Sequence, residues 1–276
     1  MTGAQVVATA AARLRAAGVQ EPGRDARRLL AHALGIGADR LTLHLPDPLA
    51  PATAAAFEAA IVARLDRRPV SQIVGWRAFY GLRFIVTADV LDPRPETEAL
   101  VDAALGHPAA RVLDLGTGSG AILLSVLTHM PGAVGVGVDI CDAALAVARA
   151  NARELGVSDR AAFLRSDWCA DVTGVFDLIV ANPPYIAACE MSALAPELRL
   201  HEPRHALTDG GDGLGAYRLI AAQAVAHLAP CGRLALEIGP DQAAPVAALL
   251  RAAGLSDIAV LPDIDGRDRV VTARRA

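Results

Sequence analysis

Apolar residues in the first quarter of the chain recur at helical spacing. This predicts helices over Thr2 to Ala17, closed by Gly18, and over Gly23 to Leu34, closed by Gly35. A short helix is expected over Ala38 to His44, and a longer one over Pro51 to Arg67 with proline near its start. From Pro69 the pattern changes, and short strands are expected over Val70 to Gly75 and Leu82 to Val86, making a β-hairpin around Trp76 to Gly81. In Asp92-Pro93-Arg94-Pro95-Glu96-Thr97-Glu98 the prolines fix the approach to a helix that starts at Glu96 or Thr97 and runs to about Leu105.

Beyond this point short β-branched runs alternate with helical stretches. Strands are expected at Arg111 to Leu115, Val134 to Val138, Ala162 to Arg165, Val175 to Ala181 and Cys231 to Ile238, with Asp257 to Leu261 and Val270 to Ala273 as a final antiparallel pair. Helices are expected at Ala121 to His129, Tyr217 to Leu228 and Gln242 to Ala253, with an irregular stretch over residues 190–214. The sum is an α/β fold: a seven-stranded, mostly parallel Rossmann-like sheet with helices on both faces, preceded by a helical bundle. Three regions follow: a bundle over residues 1–68, a hairpin linker over 69–92 and a sheet domain over 93–276.

Composition narrows this picture. The 276 residues carry a formal charge of −4 and are 53% hydrophobic, enough for a sizeable core, with acidic and basic residues mixed rather than in blocks. A protein that relies on a strong phosphate-neutralising field is thereby disfavoured. Cys141, Cys169, Cys189 and Cys231 are widely spaced, and the histidines do not cluster, so neither a disulfide frame nor a metal site is expected. Arg13 and Arg15 interrupt the apolar N-terminal stretch, and no segment has the length of a membrane span. A cytoplasmic, monomeric protein is expected.

Candidate chemistry sits at the carboxyl ends of the strands, where open α/β sheets bind ligands. Asp114 precedes the turn Gly116-Thr117-Gly118-Ser119-Gly120, and Asp139 ends the next strand, placed to accept from both hydroxyls of a ribose. The spacing is Gly-x-Gly-x-Gly rather than that of a dinucleotide site. An acid at Asp114 repels a pyrophosphate but suits the ammonium group of S-adenosylmethionine, which is therefore favoured over NAD. Asp167 and Trp168 offer an edge partner and a stacking face for adenine, although Trp168 also suits a plain plug at the sheet end. Asn182-Pro183-Pro184-Tyr185 ends a strand, since two prolines cannot continue its ladder, and presents an amide and an aromatic ring at the same rim.

The glycine turn, Asp139 and the Asn-Pro-Pro-Tyr tetrapeptide resemble a class I S-adenosylmethionine-dependent methyltransferase that acts on nitrogen. Gly81, Pro93 to Glu98, Ser166-Asp167-Trp168, Glu202-Pro203 with Ala206-Leu207, and Gly266-Arg267-Asp268-Arg269 extend the resemblance to the HemK/PrmC family of release factor N(5)-glutamine methyltransferases over nearly the whole chain. Asp92 departs from it, standing where an apolar residue is expected. The resemblance implies methylation of the glutamine amide in the Gly-Gly-Gln loop of class I peptide chain release factors, in translation termination, with those factors as partners and no nucleic acid bound directly. It implies catalytic roles for Asn182, Pro183 and Tyr185 and a substrate site at Asn182, Pro183, Pro184 and Tyr185. It also implies cofactor binding by Asp114, Gly116 to Gly120, Asp139, Asp167, Trp168 and Asn182. A nucleic-acid adenine N(6)-methyltransferase, which shares the tetrapeptide, and a non-catalytic cofactor-binding scaffold are the competing readings.

Overall fold

The computed structural model describes all 276 residues and divides them into two compact units, Met1–Trp76 with Ala195–His201, and Arg77–Leu194 with Glu202–Ala276.

In the first unit the local signals act as the sequence implies. Thr2 caps the helix Gly3–Ala16 through a capping box, its hydroxyl accepting from the Gln5 amide while Gln5 Oε1 accepts from Thr2 N at 2.9 Å. Pro22 and Pro51 open the helices Pro22–Leu34 and Pro51–Leu65, and Gly35 closes the former in the left-handed region. Leu14, Leu29, Leu30, Leu41, Phe57 and Ile61 form the core between them. Arg64 is buried in this unit, with Nε 2.7 Å from Asp25 and Nη2 2.9 Å from Glu197, so the later segment Pro196–His201 is held by charge as well as packing. The expected short helix divides into a 3-10 turn, Ala38–Arg40, and the helix Leu41–His44.

The strand expected at Val70 to Gly75 is instead a helix, Val70–Val74. Pro69 stands at its start and Gly75, with φ of 81°, closes it, while Val70, Ile73 and Val74 pack on the bundle core. Their three-and-four spacing is a helical face, and that packing overrides the β preference of the branched side chains.

The hairpin is therefore confined to β1 (Trp76–Phe79) and β2 (Leu82–Ile85). Tyr80 and Gly81 both have positive φ, 49° and 72°, as a two-residue hairpin turn demands. The main sheet contains β3 (Arg111–Leu115), β4 (Val134–Asp139), β5 (Ala161–Arg165), β6 (Phe176–Ala181), β7 (Leu228–Glu237), β8 (Ser256–Pro262) and β9 (Asp268–Arg274). Their spatial order is β5-β4-β3-β6-β7-β9-β8. The first five are parallel, and β9 runs antiparallel to both β7 and β8.

Both sheet faces are covered, which is why the central strands read as continuous apolar runs. Leu113, Ile179 and Leu236 pack with Tyr217, Ile220 and Leu250 on one face, while Val112, Val180 and Ala235 pack with Leu100, Leu123 and Leu127 on the other. After β5 the chain crosses to the far side of β3, so the turns that follow β3 and β6 flank the point where strand order reverses.

Candidate active site

The turn after β3 depends on its glycines. Gly116, Gly118 and Gly120 have φ of 71°, 54° and 79°, and a Cβ on Gly120 would lie 2.9 Å from Leu124 Cδ1. Asp139, at the end of the adjacent β4, holds this turn open: its Oδ2 accepts from Gly118 N and its Oδ1 from Cys141 N, both at 2.9 Å. Asn151 braces the turn from behind, donating to Ser119 O at 2.9 Å and pairing with both backbone groups of Ile85.

One cavity opens over this turn. Gly116, Thr117, Gly118, Ser119, Asp139, Asp167, Trp168, Asn182 and Pro184 line it, together with Thr97, Arg94 and Pro203. Trp168 has φ of 50°, which a bulky side chain rarely adopts. The Ser166 hydroxyl secures it by donating to Trp168 O at 2.8 Å, and the ring lies 3.7 Å from the position of a Gly116 Cβ. With this backbone the indole lines the cavity beside the glycine turn.

Four residues marked by the sequence lie off the cavity wall: Asp114, Gly120, Pro183 and Tyr185. Asp114 is fully buried beneath the turn, where its Oδ2 accepts from the Thr117 hydroxyl at 2.7 Å and its Oδ1 has no hydrogen-bond partner. Burial pushes its carboxyl up to about 7, with the Thr117 hydroxyl and the Leu123 backbone amide opposing and the Asp139 charge adding. Asp114 thus touches the cavity only through the Thr117 hydroxyl that it accepts from. The Tyr185 ring packs on the core, and burial with the nearby Glu237 pushes its phenol up to about 12, so it stays neutral near pH 7. Gln242 clamps the tetrapeptide backbone by donating to Tyr185 O at 2.9 Å and to Gly213 O at 3.2 Å.

The loop before the helix Gly215–His227, readable as a plain connector, is ordered by Asp209, which accepts from the amides of Gly211, Gly213 and Gly215. At the cavity rim Arg94 Nη2 sits 2.5 Å from the buried Glu202 carboxylate, tying the Pro-Arg-Pro-Glu-Thr segment to Glu202-Pro203. Asp92 lies 3.5 Å from Arg77, so an ion pair accounts for an acid at that buried position.

The chain matches two family models in succession, the PrmC N-terminal domain over residues 5–75 and the methyltransferase small domain over residues 87–214. It is 60% identical to the release factor glutamine methyltransferase of Cereibacter sphaeroides over 274 residues, covering 99% of each protein. The chain belongs to the release factor glutamine methyltransferase family. As a member it is an S-adenosylmethionine-dependent methyltransferase. The enzyme of the same name from Rhodospirillum rubrum is 48% identical, over 95% of this chain and 82% of that one. Among solved structures, a methyltransferase from Pyrococcus furiosus shares the fold with a TM-score of 0.55 at 16% identity, over 71% of this chain and 90% of that one.

Two residues at this family member's site escaped the sequence reading. Thr97, read as a helix starter and as part of the Pro93 to Glu98 segment but given no site role, accepts from Asn182 Nδ2 at 3.2 Å. Glu237 ends β7 as Asp139 ends β4, and it lies 1% exposed behind Thr97 and Asn182. A carboxylate at the end of an apolar strand was the available signal; it was applied to Asp139 and not to Glu237.

Proposed function

We propose that this chain transfers the methyl group of S-adenosylmethionine to the side-chain amide nitrogen of the glutamine in the Gly-Gly-Gln motif of class I peptide chain release factors. The substrate assignment is carried by end-to-end similarity to enzymes named for it, at 60% identity, in a chain whose Asn182 stands at the rim of a cavity over the glycine turn.

The residues fit the cofactor. Backbone groups of Gly116 to Ser119 form a cradle that side chains would block, and Asp139 offers its remaining lone pairs to vicinal hydroxyls. Trp168 presents a ring face for a purine, with Asp167 beside it as an edge partner. When bound there, the cofactor supplies an electrophilic methyl carbon on a sulfonium sulfur.

The protein's task is to make an amide nitrogen attack. Its lone pair is delocalised into the carbonyl, so acceptors aimed at the two amide hydrogens are needed to hold it in line and to stabilise the positive charge that develops. Asn182 Oδ1, on the cavity wall, takes this role first, and the backbone carbonyl of Pro183, which lies off that wall in the same turn, is assigned as the second acceptor. Pro184 stiffens the turn, and Tyr185 anchors it in the core. The N-alkylated, protonated amide is acidic enough to lose its proton to water, so a neutral asparagine suffices where a strong base would otherwise be sought. The N-terminal helices serve to dock the release factor, and the reaction takes place in the cytoplasm.

The test is mass spectrometry of a purified release factor incubated with this protein and the methyl donor. A gain of one methyl on the Gly-Gly-Gln glutamine is expected. Methyl incorporation into DNA or RNA, with none into the factor, refutes the assignment.

A further inference from the structure

The mechanism needs the oxygen of the Asn182 amide, not its NH2 group, to face the acceptor nitrogen. An asparagine can present either end, so something must choose. The choice follows from the donors and acceptors behind it. Asn182 Nδ2 is 3.2 Å from Thr97 Oγ1, and the Thr97 and Asn182 side chains both lie close to the buried carboxylate of Glu237, whose Oε2 has no hydrogen-bond partner. Thr97 and Glu237 are buried, at 4% and 1% exposure, so neither can turn to solvent. An ionised carboxylate only accepts. With that carboxylate able only to accept and Thr97 Oγ1 accepting from Nδ2, the NH2 end of Asn182 is the one drawn inward. The oxygen is left facing the cavity.

We infer that Glu237 acts as a positioning residue in methyl transfer, fixing together with Thr97 which end of the Asn182 amide meets the acceptor nitrogen. The inference rests on the reading of Asn182 as the group that holds the acceptor. It carries a pH signature. A protonated Glu237 can donate as well as accept, so it no longer selects the NH2 end of Asn182 and the amide loses its bias. Burial pushes this carboxyl up to about 7, with hydrogen bonds from Thr97 and Asn182 and the charge of Arg269 opposing and Glu96 adding. Tyr185 and Tyr217 are the other titratable groups close to it, and both stay neutral in the range concerned. Arg269 is charged throughout and lies 3.0 Å from Asp263.

The experiment compares wild type, Glu237→Gln, Thr97→Val, Thr97→Ser and Asn182→Ala with release factor as substrate. It measures kcat and KM, cofactor affinity by calorimetry, the pH profile of kcat, and stability in urea. Glu237→Gln and Thr97→Val are expected to lower kcat roughly 10- to 100-fold while cofactor affinity stays within about twofold. Thr97→Ser, which keeps the hydroxyl, is expected to recover most of what Thr97→Val loses. Wild-type kcat should fall as pH drops below about 7, and Glu237→Gln should lack that limb. Glu237→Gln should also be no less stable than wild type at pH 8, because a neutral group replaces a buried charge. The inference is overturned if Glu237→Gln and Thr97→Val keep wild-type kcat and its acid limb while Asn182→Ala is inactive. It is equally overturned if both variants lose stability and cofactor affinity together, the mark of a merely structural role. Full activity in Asn182→Ala removes the underlying reading of the asparagine as well.

Discussion

Replacing Asp114 by asparagine should flatten the pH dependence of stability in the sheet-containing unit. Asp114 is fully buried with one oxygen unpartnered, and burial raises its carboxyl from 3.8 to about 7. A group whose pKa is raised on folding contributes stability that is fully present below its unfolded value and is lost as pH rises through its folded value. For a shift of about three units the loss is roughly 4 kcal/mol at pH 8.5, of which about 1.5 is already lost at pH 5. Between those two pH values wild type should therefore give up almost 3 kcal/mol that Asp114→Asn does not, to order of magnitude. The absolute level of the variant also depends on whether its NH2 group finds an acceptor, but the slope does not. Urea unfolding followed by circular dichroism at pH 5, 7 and 8.5 measures it. The same slope in both proteins, or a variant that falls further behind wild type as pH rises, would refute the assignment of a strained, buried carboxyl under the glycine turn.

Other expectations rest on single contacts. Asp139→Asn should weaken cofactor binding by roughly 1.5 to 3 kcal/mol, read by calorimetry, because one oxygen that accepts from Gly118 N or Cys141 N becomes a donor. Gly213→Ala would place a Cβ 2.4 Å from Tyr185 O in a left-handed backbone, so activity should drop at least tenfold, to order of magnitude, with cofactor affinity unchanged; unchanged kcat would mean that this loop does not position the tetrapeptide. Arg94→Ala strands the buried Glu202 carboxylate and should cost about 3 to 5 kcal/mol in urea unfolding, whereas the double variant Arg94→Ala with Glu202→Gln should recover much of it. A double variant no more stable than the single one would count against the ion pair as the cause.

The sheet and its order of elements were legible because buried parallel strands and amphipathic helices leave different periods in the sequence, and glycine and proline mark their ends. Val70 to Val74 was misread because five residues, three of them with branched side chains, fit either period, and only the bundle core decides. On the cavity wall, the glycine turn, Asp139, Trp168 and Asn182 were legible because each lies at the carboxyl end of a strand or within a few residues of it. The Glu237 and Thr97 pair was not, since residues 140 positions apart meet only through the β6–β7 register and the turn that precedes the helix Glu98–Leu105. Asp114 was legible as an acid before the turn. Its direction was not, because the side that a strand residue faces depends on the pleat, and here the pleat turns it under the turn.

The ring of Trp168 has a use apart from stacking. The chain has two tryptophans, Trp76 and Trp168, and only the latter lines the cavity. With Trp76→Phe the protein would carry a single indole whose emission responds to whatever lies against it, so loading and discharge of the cavity become visible in real time without a label.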